Sequence, residues 1–131
     1  MTQEQKDLLL KDICARLPYK VKASFYDKEE ECETWDEIGG IIVDTPYPTV
    51  DIGPYALYIE EIKLYLFPLS SLTEEQKEEY CQLQQKIIYN SKGVVNEDIT
   101  EYIKWCYKKH LDINCLIPKG LAIDATGLNV Y

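Results

Sequence analysis

The stretch YALYIEEIKLYLFP, residues 55 to 68, cannot be one uninterrupted strand. Leu57 and Ile59 alternate on one side of an extended chain, Glu60 and Glu61 interrupt, and Ile62, Leu64 and Leu66 resume in the opposite phase. Side chains of a strand alternate with a period of two, so a continuous strand would carry its apolar set to the other face at that break. A one-turn 3₁₀ break between two strands removes the conflict. Strand, short turn, strand at the end of a small β unit is the pattern of an SH3-like fold. The sequence therefore predicts, over residues 19 to 67, a small SH3-like antiparallel β-barrel or curled sheet.

The flanking segments follow from their own punctuation. Thr2 and Gln5 have capping-box spacing, and Leu9, Leu10, Ile13, Cys14 and Leu17 recur on one helical face. Pro18 pushes the preceding residue out of the α region, which predicts a helix over 3 to 16. YKVKASFY, residues 19 to 26, alternates Tyr19, Val21, Ala23 and Phe25 with polar neighbours and reads as a half-buried strand. The acidic DKEEECETWDE reads as a solvated turn with flared strand ends. A second strand is expected in IGGIIVDT, where Gly39 and Gly40 permit a bulge. TPYPTVDIGP is a proline-rich connection that cannot be helix.

Beyond residue 68 the pattern turns helical. Thr73 and Gln76 repeat the capping box, Glu74 and Glu75 suit a helix N-terminus, and Tyr80, Leu83 and Ile87 share a face. That helix should stop near Asn90, before Gly93, and Asn96 with Glu97 and Asp98 should open another. Ile99, Tyr102, Ile103, Cys106 and Tyr107 form its apolar side, with Lys108, Lys109 and His110 at the negative C-terminal end. Leu116, Ile117, Leu121 and Ile123 then require cover, so residues 111 to 131 are expected to pack back, turning at Gly120. The expectation is a single α+β domain over residues 1–131, the β unit preceded by one helix and followed by two helices and a packed C-terminal tail.

Charge and cysteine usage limit the function classes. With 23 acids against 14 bases, a net charge of −9 supplies no broad positive field for nucleic acid or anionic lipid. No run approaches the roughly 18 apolar residues a bilayer demands. MTQEQKDLLLKDIC lacks a basic region followed by an apolar run, so no signal peptide is expected and the cytoplasm is. Cys14, Cys32, Cys81, Cys106 and Cys115 are odd in number, widely spaced and without CxxC, which predicts reduced thiols and no zinc site. Cys14, Cys81 and Cys106 fall near apolar helical positions and are expected in the core. No metal or cofactor is anticipated.

Two constellations are candidates for function. Tyr47, Tyr55, Tyr58 and Tyr65, close to three prolines, could line a groove for an unknown protein partner, since tyrosine offers apolar area with a polar tip. His110, Asp112 and Cys115 could form a Cys/His catalytic site of a small hydrolase or transferase. Against this, no oxyanion hole or phosphate loop is visible nearby, and the alternative is a helix end followed by a turn organised by Asp112. The acidic run lacks EF-hand spacing. It leaves mimicry of nucleic acid, and so inhibition of a DNA-binding protein, as another reading. The adjacent Glu60 and Glu61 read as a turn rather than a general acid–base pair. The sequence favours a non-enzymatic binding or accessory module.

Three stretches, LLLKDICARLPYKVK (8 to 22), IEEIKLYLFPLSSLTEEQKEEY (59 to 80) and HLDINCLIPKGLAIDA (110 to 125), carry a resemblance. Together they resemble a family of small uncharacterised proteins encoded by gut anaerobes and their bacteriophages or other mobile elements. The chain departs from the family pattern at Leu64 and Phe67, where proline and arginine are usual, and at Ile113, Asn114 and Cys115, where Tyr-Arg-Gly is usual. The resemblance implies a phage-related context and no particular mechanism.

Overall fold

The structure, a computed structural model, describes residues 1–43, 46–89 and 96–131. Helix α1 spans Gln3–Arg16 and opens on the expected capping box. The Gln5 N–H donates to Thr2 Oγ1 at 3.1 Å, and the Thr2 N–H donates to Gln5 Oε1 at 3.0 Å. Its buried stripe is Leu9, Asp12, Ile13 and Arg16, while Cys14 is exposed. Pro18 ends the helix in a 3₁₀ turn, Leu17–Tyr19, and Lys20 adopts a left-handed φ of 60°. Strand β1 therefore starts at Lys22, three residues later than the alternation suggested, and runs to Asp27.

Strand β2, Cys32–Ile42, takes most of the acidic stretch, so the expected solvated turn is confined to residues 28–31 and its flanking strand ends extend further than the sequence suggested. Both faces of its first half are largely open to water, so Glu33, Trp35, Asp36 and Glu37 are tolerated there without an apolar signal. Between Ile38 and Gly40 the pairing register slips. The extra residue lets Ile38 and Ile41 both reach the core side, the service expected of the two glycines. The expected strand end at Asp44 and Thr45 lies outside the described residues. Strand β3, Thr49–Ile52, forms inside the segment expected to be a mere connection, and hairpins through Gly53 (φ 54°) to β4, Tyr55–Tyr58. A 3₁₀ turn, Ile59–Glu61, then leads to β5, Ile62–Leu66. Ile59, Ile62, Leu64 and Leu66 are all buried, so the turn resolves the phase conflict as the sequence demands.

The strands form one six-stranded sheet in the order β4-β3-β2-β1-β5-β6, where β6 is Ala122–Asp124 of the tail. Of the two expected forms, antiparallel barrel or curled sheet, the closed barrel does not form. Strand β6 pairs parallel with β5 and occupies the edge through which β5 would otherwise have to close the sheet, so the sheet is mixed and open. The edge of β4 away from β3 is blunted at one end, because the Tyr58 N–H donates to Glu61 Oε2 at 2.9 Å.

Helix α2, Glu74–Tyr89, opens on the Thr73–Gln76 capping box, and helix α3 spans Asn96–Lys108. The stop expected near Asn90, and the side chains of Asn96, Glu97 and Asp98, lie outside what is described. A large core joins α1, the sheet and the tail residues Leu116, Leu121 and Ala122; a smaller one gathers Leu72, Cys106 and Leu111 against Phe67, Tyr80, Tyr102 and Trp105. The tail thus touches both cores. Among the described residues, no helix is long and apolar enough to cross a membrane.

Candidate functional site

The four candidate tyrosines divide into separate environments. Register places Ile42 opposite Thr49 and Thr49 opposite Tyr58, so these three lie in one row on the outer face of β2, β3 and β4. Tyr47 meets Tyr58 edge to face, with ring centroids 6.3 Å apart. Tyr47 is 68% exposed, Val43 58%, Tyr58 49% and Ile42 42%. The two touching rings, in one cross-strand row with Ile42 and next in sequence to the open Val43, make an exposed apolar patch rather than scattered surface residues. Tyr55 is not part of it: its hydroxyl donates to Asp27 Oδ1 at 2.8 Å and its ring packs edge-on against Phe25. The Asp27 carboxylate raises the Tyr55 hydroxyl to about 12, so it remains a donor near neutrality. Tyr65 stands on β5, where its backbone carbonyl accepts a hydrogen bond from the Tyr131 hydroxyl. Sequence proximity grouped four tyrosines, whereas ring contact unites only Tyr47 and Tyr58, and strand register adds Ile42 through Thr49.

His110, Asp112 and Cys115 follow α3 but are used separately. His110 stops the helix with a left-handed φ of 57° and stacks on the Tyr131 ring at a centroid distance of 3.7 Å. Asp112 is committed to the backbone, its carboxylate accepting from the N–H groups of Leu116 at 2.7 Å and Ile117 at 2.9 Å. Cys115 is exposed, with a φ of 56°. Among the described residues no hydrogen bond joins the three side chains.

Burial lowers the His110 imidazole from 6.5 to about 4, with the Arg16 and Lys22 charges acting in the same direction. The ring is therefore neutral near neutrality, and the cation–helix-end attraction expected of it falls to Lys108 and Lys109. Between these values the unfolded chain binds a proton that the folded protein refuses, so stability is full above the unfolded value and falls as pH drops toward about 4. His110→Asn, which tolerates the left-handed backbone, should flatten that acid limb by on the order of 2 kcal/mol between about pH 7 and 4.5. Urea midpoints at the two pH values check this, and parallel losses in both proteins would clear the imidazole of any part in the acid limb.

The ring partner of His110 has a structural role that no sequence pattern announced. The Lys22 N–H donates to the Tyr131 hydroxyl at 2.8 Å, and that hydroxyl donates to the Tyr65 carbonyl at 2.8 Å. The phenol thus inserts between β1 and β5 just past their last paired residues, Ala23 and Leu64. Equally unannounced is a buried ion pair: Arg16 Nε donates to Asp12 Oδ2 at 2.6 Å, with neither side chain exposed. Asn114 Nδ2 donates to Asp12 Oδ1 at 2.7 Å, Arg16 Nη2 donates to the Leu111 carbonyl at 2.7 Å, and the guanidinium carbon lies 4.7 Å from the Tyr107 ring centroid. A sequence signal did exist: Asp12 and Arg16 share the 9, 12, 13, 16 stripe with Leu9 and Ile13.

The cysteines require a correction as well. All five are free thiols, but Cys14, Cys32, Cys81 and Cys115 are exposed, and only Cys106 is a core residue. Cys14 and Cys81 lie off the stripes their helices bury. Burial raises the Cys106 thiol above its ordinary value. Compared with protein-family models, with curated proteins and with solved structures, the chain matches none.

Proposed function

We propose that the protein is a non-enzymatic binding module whose Ile42–Val43–Tyr47–Tyr58 patch docks an apolar side chain of a protein partner. The observation that carries this reading is the row Ile42–Thr49–Tyr58 capped by Tyr47, an apolar cluster left open on the sheet. Large aromatic side chains on a rigid strand scaffold lose little conformational freedom on contact, which favours them as anchors. Docking is onto the face and not by strand addition, because Glu61 already occupies the outward N–H of Tyr58 on a strand of only four residues. The strand order through the 3₁₀ turn supports an SH3-like ancestry for this unit, opened by the added β6. The resemblance of residues 8–22, 59–80 and 110–125 to proteins of gut anaerobes and their phages supports a cytoplasmic, phage-related setting.

The experiment compares wild type, Ile42→Ser/Tyr58→Ser and a Glu29→Ser/Glu30→Ser surface control as baits in the native host, with folding checked by circular dichroism. One partner should be retained by wild type and control and lost by the patch variant. Equal recovery by all three refutes the reading, as does a concentration-dependent dimer in which the patch is covered by a second copy.

A further inference from the structure

A concavity lies away from that patch, where the C-terminus of α3 meets the turn after β5 and the tail. It is an open cleft of about 340 Å³, within the range of small-ligand pockets. Phe67, Leu72 and Leu111 supply an apolar lining; Gln76, Lys108, Lys109 and His110 supply donors. Among the described residues no aspartate or glutamate lines it, in a chain whose net charge is −9. His110 Nδ1 is buried without a hydrogen-bond partner, which leaves Nε2 as the nitrogen that turns outward. An imidazole with an unpartnered buried Nδ1 is best served by carrying its proton on Nε2, so the ring too presents a donor.

We propose that this cleft binds a small organic carboxylate, its apolar body against Phe67, Leu72 and Leu111 and its charge against Lys108 and Lys109. The end of α3 opposes an anion with its carbonyl dipole, but only with about half an elementary charge, whereas the two lysines bring two. Helix-end compensation explains lysines at this position. It does not explain an adjoining cleft with an apolar side at Phe67, Leu72 and Leu111 and no acid among its described lining residues. A neutral ligand would leave the lysines unused, and a bare mineral anion would leave the apolar lining wet.

The probes are benzoate, benzamide and inorganic phosphate, titrated into the whole protein at constant ionic strength and followed by amide NMR shifts. Benzoate should saturate with a Kd on the order of 1 mM or tighter, moving Leu72, Gln76, Lys109, His110, Leu111 and Gly127 together. Lys108→Ala/Lys109→Ala should weaken it by at least about tenfold, while the charge-matched Lys28→Ala/Lys119→Ala should not. Three results would overturn the proposal: shifts from benzamide equal to those from benzoate, undiminished benzoate binding by the double lysine variant, or saturation by phosphate without saturation by benzoate.

Discussion

A chain ending at His110 is expected not to fold cooperatively. Residues 111–131 complete both cores. Leu111, Leu116, Leu121 and Val130 are buried, and each such side chain contributes roughly 1.5–3 kcal/mol. Together they match the whole margin of a domain this size, about 5–15 kcal/mol. The loss is not only apolar. Strand β6 covers the edge of β5, and the Asp112 N–H donates to the Phe67 carbonyl at 2.9 Å. The Ala125 N–H donates to the Leu66 carbonyl at 2.8 Å, so both sides of the β5 exit depend on the tail. Without it, β5 would present an open edge between two stripped core surfaces, a template for aggregation. Thermal melts by circular dichroism and size-exclusion chromatography measure this. A truncated monomer with an unchanged melting temperature would show the tail to be an appendage.

That dependence was legible in outline, because Leu116, Ile117, Leu121 and Ile123 need cover and Pro118 forbids a helix. Its form was not. Three residues, Ala122 to Asp124, carry too little pattern to announce a strand, and their parallel pairing is decided by what β5 offers rather than by their own sequence. The same limit hid β3, whose four residues sit between Pro48 and Gly53. Where local chemistry determines the backbone, the reading held: the Thr2–Gln5 and Thr73–Gln76 caps, the stop at Pro18, the Gly39–Gly40 bulge and the turn at Ile59–Glu61 each rest on neighbours in sequence. Barrel closure depends on which strand takes the far edge of β5, a competition that no local signal reports. For the candidate site, tyrosine content pointed to an aromatic surface, but only register could unite Tyr58 with Ile42 and separate both from Tyr55 and Tyr65.

Arg16→Met is expected to destabilise the protein by about 3–5 kcal/mol, the loss typical when one partner of a buried pair is removed. In sequence, Asp12 and Arg16 look like an ordinary i,i+4 surface pair, which is worth only about 0.3–0.5 kcal/mol. Complete burial changes the sign of the argument. Removing the guanidinium strands the Asp12 carboxylate in the core with Asn114 as its one remaining partner among the described residues, and leaves the Leu111 carbonyl at the start of the tail with the Ile113 N–H, at 3.0 Å, but without its bond to α1. The pair itself is not the source of stability, because two desolvated charges roughly repay their own cost. Asp12→Leu/Arg16→Met together should therefore recover most of what Arg16→Met loses, leaving chiefly the lost second bond to the Leu111 carbonyl and the unmet Asn114 amide. The part-exposed pair of Lys6 and Glu60, 3.5 Å apart, supplies the contrast: Lys6→Met should shift stability by less than about 1 kcal/mol. Urea denaturation of the four proteins reads all of these values. If Arg16→Met costs no more than Lys6→Met, the carboxylate is reached by water and the pair does not tie α1 to the tail; if the double variant is no better than the single, the charges contribute net stability.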